Sequence, residues 1–218
     1  AVISTSREMK GFSDTGLSTW RVFGNFAEMM TRVTELAKAM GPQFTANAEE
    51  FKKNGGALLA YQKGLGLSDE MMTSVAISGK KMGTGLGPIL NDMTKQSYAM
   101  AKAFGLDAKV LSRDMGKALQ DVQHFGHLST KELSVAVTYS NKLGISIDKL
   151  TSLMDTFDTF DTSAESVSKL NEQFGTNIDA MEIMAAQSPA EKMEMLRKSF
   201  AATGKDLTKL SFQERKFI

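Results

Sequence analysis

The chain has 218 residues, with 26 Lys+Arg against 25 Asp+Glu for a formal net charge of +1, and 42% of it is hydrophobic. A domain built to neutralise a phosphate backbone would carry a clear excess of Lys and Arg, so this balance argues against a dedicated nucleic-acid binder; the apolar fraction argues against a disordered chain. With 0 Cys there is no disulfide framework and no thiolate metal site, and 15 Met beside 3 Pro suits a protein that is mostly helix.

No stretch after Ala1 reads as a signal peptide, and no apolar run approaches the ~18 residues of a membrane span. The first predicted helix covers about 17–40. In it Val22, Phe26, Met29, Val33, Leu36 and Met40 follow one another in steps of four and three, the spacing of a heptad seam. Trp20, Phe23, Ala27 and Met30 lie beside that stripe and widen it. So wide a face fits a helix in a multi-helix core, or one of three or more helices around an axis. The second expectation makes 1–44 a candidate axial oligomerisation segment and 45–218 a compact helical region.

Further helices are predicted at about 45–63, 68–78, 89–104, 107–123, 130–143, 147–160, 163–174, 178–186, 189–202 and from 211 onward. Their starts are marked by capping boxes at Ser129–Glu132, Thr162–Glu165 and Ser188–Glu191, the last with Pro189 in the first helical position, and by a weaker version at Asn47–Glu50. Their ends are marked by Gly41, Gly66, Gly105, Gly126, Gly144, Gly175 and Gly204. No segment alternates apolar and polar residues in the manner of a strand. The expected fold is therefore all-α, a multi-helix bundle of short Gly-punctuated helices with a longer N-terminal amphipathic helix. A local pattern recurs: Phe104-Gly105-Leu106-Asp107, Leu143-Gly144-Ile145-Ser146 and Phe174-Gly175-Thr176-Asn177-Ile178-Asp179, with Leu65-Gly66-Leu67-Ser68 as a fourth version. Each reads as one helix end turned tightly into the next helix start.

The stretch Gly79–Gly87 holds a Lys pair and four glycines but follows no strand, and its order is not that of a phosphate loop. A flexible hinge is expected there. Asp155, Asp158 and Asp161 recur every three residues in an Asp-Thr-Phe repeat and read as a solvated acidic helix face, since calcium loops need ligands two apart and a Gly turn. His124 and His127 are three apart across Gly126 and lack the H-E-x-x-H arrangement. Met29-Met30, Met71-Met72, Met181, Met184, Met193 and Met195 read as core filler rather than an adaptable binding surface. No catalytic, cofactor or metal site is read from the chain, and no enzyme is expected.

The run from Leu143 to Leu150, then Phe157-Asp158-Thr159-Phe160, Ala164-Glu165-Ser166, Lys169-Leu170-Asn171-Glu172-Gln173-Phe174-Gly175, Asn177–Met181, Pro189-Ala190-Glu191 and Thr203-Gly204-Lys205 resembles tail tape measure proteins of contractile-tailed bacteriophages. The resemblance covers roughly 85–218 and rests on structural punctuation, so no functional residue carries over. It implies a long helical protein, coiled in several copies in the tail lumen, whose length sets tail length and which leaves ahead of the genome. The implied setting is the virion tail lumen or baseplate, with the host cytoplasm during assembly. The implied partners are further copies of itself, three or six about the tail axis, and tail tube and baseplate hub proteins, without sequence-specific nucleic acid; the host membrane is a contact on ejection. A ruler would be long unbroken helix, whereas this chain has a stop every ~10–20 residues, so the expectation is a folded part of the tape measure. The alternative is a membrane-active channel or delivery segment released on ejection, motivated by the Gly-rich 79–91 stretch and the Met-bearing helices. Ser211–Glu214 forms one more capping box and opens a helix at the chain end, which is read as an ordered stretch of a longer polypeptide.

Overall fold

A computed structural model describes residues 26–186, 188–205 and 209. Among these residues there are helices and no strand. In chain order they are α1 (Phe26–Met40), α2 (Pro42–Ala46), α3 (Ala48–Leu65), α4 (Asp69–Lys81), α5 (Leu86–Phe104), α6 (Ala108–Ala118), α7 (Val122–Phe125), α8 (Thr130–Leu143), α9 (Ile147–Thr156), α10 (Phe160–Phe174), α11 (Ala180–Ala185) and α12 (Pro189–Ala202). The protein is all-α, as its punctuation predicts. The expected helix from 211 and the start of the first helix lie outside the described residues.

The chain divides into two compact units, Ala1–Val122 and Gln123–Ile218. This differs from the boundary expected at 44/45. The reason is that α1 packs on α3 and α4, so residues on both sides of that point share one core.

In the first unit α3 and α4 each pack on α5 and α6, which pack on each other, with α1 against α3 and α4. Leu36, Leu58, Leu59, Met72, Leu86, Leu90, Met93 and Met115 are fully buried. Polar contacts tie the layers: the carboxylate of Asp69, in the first turn of α4, accepts from Arg32 of α1 and, at 2.6 Å, from Gln62 of α3. The predicted helix 45–63 is interrupted near its start. Pro42 opens α2, and α3 carries non-helical backbone at Asn54.

The recurring Gly pattern is one structural device. At Gly66, Gly105 and Gly144 the backbone is left-handed, and the residue after each glycine donates its N–H back to the carbonyl five residues earlier: Leu67 to Gln62, Leu106 to Ala101, Ile145 to Ser140. One residue further on, Ser68, Asp107 and Ser146 accept backbone N–H groups at the start of the next helix. The Gly175 version is longer, and Asn171 closes it by accepting from Ile178 N and donating to Ile178 O. Gly126 is not left-handed; Gly83, which was not expected to be, is.

In the second unit α8 packs on α9 and α12, α9 on α10, and α11 on α10 and α12. Phe125, Phe157 and Phe200 are fully buried, and the Phe174 and Phe200 rings meet at 4.9 Å. Ser129 caps α8 in a reciprocal box with Glu132, and Ser188 caps α12 ahead of Pro189. The box expected at Thr162–Glu165 is displaced: Thr159 is the cap, and Glu165 pairs with Lys169 one turn on. Across α8 and α12, Tyr139 donates to Glu194, whose oxygens also accept from Arg197 at 2.7 and 2.6 Å. Arg197 first, then Tyr139, holds the Glu194 carboxyl below its ordinary value of 4.5. A depressed folded pKa gives stability that is present above the unfolded value and lost as pH falls through the folded one. Glu194→Gln should therefore flatten the acid limb of this unit's stability below about pH 4.5, by less than ~1 kcal/mol because the pair is partly exposed. Urea midpoints measured from pH 7 down to pH 3 check this; an unchanged slope would mean the pair is not formed.

Candidate functional site

Of the candidate oligomer seam, Leu36 and Met40 belong to the chain's own core and Val33 is half-buried. Leu36 and Met40 are buried, and Val33 Cγ2 lies 3.9 Å from where a Cβ would stand on Gly55 of α3. Leu36 and Met40 are thus covered within the single chain, on a helix that packs on α3 and α4. Val22 lies outside the described residues, as do the side chains of Phe26 and Met29.

The Gly-rich stretch is a closed turn, not a hinge. α4 continues to Lys81, Gly83 supplies the left-handed residue, and α5 begins at Leu86. Gly85, at the N-cap of α5, has no side chain to offer. The carboxylate of Glu50 takes that role from α3, accepting from Leu86 N at 2.8 Å and Gly87 N at 2.6 Å. An anion is thus placed on the positive end of the longest described helix.

The cluster richest in chemical groups is in the second unit. α7 is a single turn held by the buried Phe125. It presents His124, whose side chain is 11% exposed, with Nε2 3.1 Å from Asp155 Oδ1 and 3.5 Å from Asp158 Oδ2. The other oxygen of Asp158 accepts from Lys192 Nζ at 3.0 Å, and Lys192 is buried on α12. Beside the cluster is a shallow open depression of about 240 Å³, lined by His124, His127, Asp158 and Lys192 among others.

The Asp-Thr-Phe repeat builds this arrangement because it is not one helix face. α9 ends at Thr156, Phe157 turns into the core, and Thr159 caps α10. Asp155 and Asp158 therefore converge on His124, while Asp161 goes into the first turn of α10. Lys192 was missed by sequence reasoning, yet it left a trace: it interrupts the apolar stripe Pro189, Met193, Leu196, Phe200. A charge inside such a stripe needs a partner.

The methionines divide as their spacing predicts in part. Met72 and Met193 are buried, but Met181 is 56% exposed. Among the described residues no helix is long and apolar enough to cross a membrane. No protein-family model, curated protein or solved structure matches the chain.

Proposed function

We propose that this chain is a folded structural module of a tail tape measure protein of a contractile-tailed bacteriophage, acting in the tail lumen or baseplate hub during tail assembly and genome ejection. The observation that carries the reading is the ordered run of motifs from Leu143 to Lys205. Its physical support is the length of the helices. A ruler sets distance through continuous helix, but the longest described helix, α5, has 19 residues and spans about 28 Å. The described helices are short and follow one another across brief connections within two compact units, so the segment contributes packed units instead of extended length. Many of the described polar side chains serve as helix caps or inter-helix ties, as Ser129, Ser188, Glu50 and Asp69 do, which suits an assembly role.

The test is an in-frame deletion of codons 26–205 from the parent gene in a propagating phage. A folded module should leave tail length unchanged by electron microscopy while tails assemble poorly or fail to eject. A ruler segment would shorten the tail by about 270 Å, at 1.5 Å per residue. Mass spectrometry of purified tails should contain peptides of this chain, and their absence from intact virions would overturn the reading.

A further inference from the structure

We propose that His124, Asp155 and Asp158 form a binding site for a divalent transition metal of the zinc class. Nε2 of His124 faces both aspartates. Two carboxylate oxygens from different residues lie 3.1 and 3.5 Å away. A single Nε2–H can be aimed at only one of them. A metal ion, in contrast, is bound by all three donor atoms at once.

The spacing suits such an ion. Donors bound tetrahedrally at 2.0–2.2 Å stand about 3.3–3.6 Å from one another. The two distances from Nε2 fall close to that edge, and all three donor atoms lie within 4.8 Å of one another. The third edge closes by a turn of Asp155, whose side chain is 59% exposed. An imidazole with two carboxylates suits zinc, cobalt, nickel or iron. Calcium takes six to eight oxygens, more than two carboxylates supply.

The surroundings fit a site held in place. His124 is fixed on a turn anchored by Phe125, which is fully buried. Lys192 grips Asp158 through Oδ1 and so leaves Oδ2 toward the imidazole. Hydrogen-bonded outer partners of this sort orient ligating carboxylates. With the imidazole neutral, two carboxylates and one ammonium leave one negative charge for a cation to meet. The adjoining depression supplies an entry path and room for water as a remaining ligand. The site does not depend on the phage reading, and either can fail without the other.

The test uses the full chain, stripped with chelator and titrated with Co²⁺ under visible absorption, then with Zn²⁺ in competition. The expected result is one Co²⁺ per chain, with the d–d bands of a low-coordinate site and displacement by Zn²⁺. Asp155→Asn, an exposed change that leaves the fold intact, should weaken binding at least about tenfold. His124→Gln should abolish the bands, and His127→Gln should leave them unchanged. Absence of bands from the folded wild type would overturn the proposal, as would wild-type binding retained by both Asp155→Asn and His124→Gln. Loss of binding in His127→Gln alone would mark adventitious histidine binding and would also overturn it.

Discussion

Phe157→Ala is expected to remove about 3–5 kcal/mol from the second unit, the cost of deleting a large, fully buried aromatic side chain and leaving part of its volume empty. The total stability of a unit of this size is about 5–14 kcal/mol, so one substitution takes a large share of it. The position also matters for the local path of the chain. Phe157 is the residue at which α9 stops, and its burial places Asp158 and the Thr159 cap where α10 begins. Its loss should loosen both the α9–α10 junction and the acidic pair beside His124. Hydrogen exchange of the full chain, read by mass spectrometry over 123–205, measures this locally. Amides of α9 and α10 should exchange faster in the variant, while Met181→Ala, at an exposed position of the same unit, should change stability by no more than about 0.5 kcal/mol. A loss below about 1 kcal/mol for Phe157→Ala would show that the ring is not packed as described.

The features legible in the sequence are those whose physics is local. Gly66, Gly105 and Gly144 end helices because the next turn needs a left-handed residue, and the apolar residue and polar cap that follow lie within three positions. Ser129 and Glu132 satisfy each other's backbone donors across one turn. What was not legible depends on residues far apart in the chain. The Gly79–Gly87 stretch resembles a hinge because nothing near it caps α5; the acceptor is Glu50, 36 residues earlier. Asn47–Glu50 resembles a weak capping box for the same reason, since its acid is committed elsewhere. The Asp-Thr-Phe repeat has helical spacing, and only burial of Phe157 shows that the helix breaks inside it. The meeting of His124 with Asp155 and Asp158 follows from the packing of α7 against that break, which no spacing encodes.

Gly87→Ala is expected to destabilise the first unit, against the sign of helix propensity. Ala is favoured over Gly by about 1 kcal/mol inside a helix. At this position, however, a Cβ would stand 2.6 Å from Glu50 Oε1, the same oxygen that accepts from Gly87 N. The neighbouring Gly85 is also tight, with a Cβ 3.0 Å from Oε2. The two glycines make the room in which the remote carboxylate caps α5. A methyl group at 87 must push that carboxylate off, which forfeits charge-assisted bonds worth about 1.5–3 kcal/mol. The net loss expected is about 1–2 kcal/mol. Glu50→Ala should cost about 2–3 kcal/mol, because the N–H groups of Leu86 and Gly87 lose their acceptor and the helix end loses its anion. The two changes share one interaction, so they should not add. Once Glu50 is Ala, the steric conflict is gone, and Gly87→Ala should turn stabilising by up to about 1 kcal/mol. Urea unfolding of the four proteins in this cycle reads the coupling as about 2–3 kcal/mol. If Gly87→Ala stabilises in both backgrounds, the carboxylate does not cap α5, and the Gly-rich stretch is the open hinge that its sequence suggests.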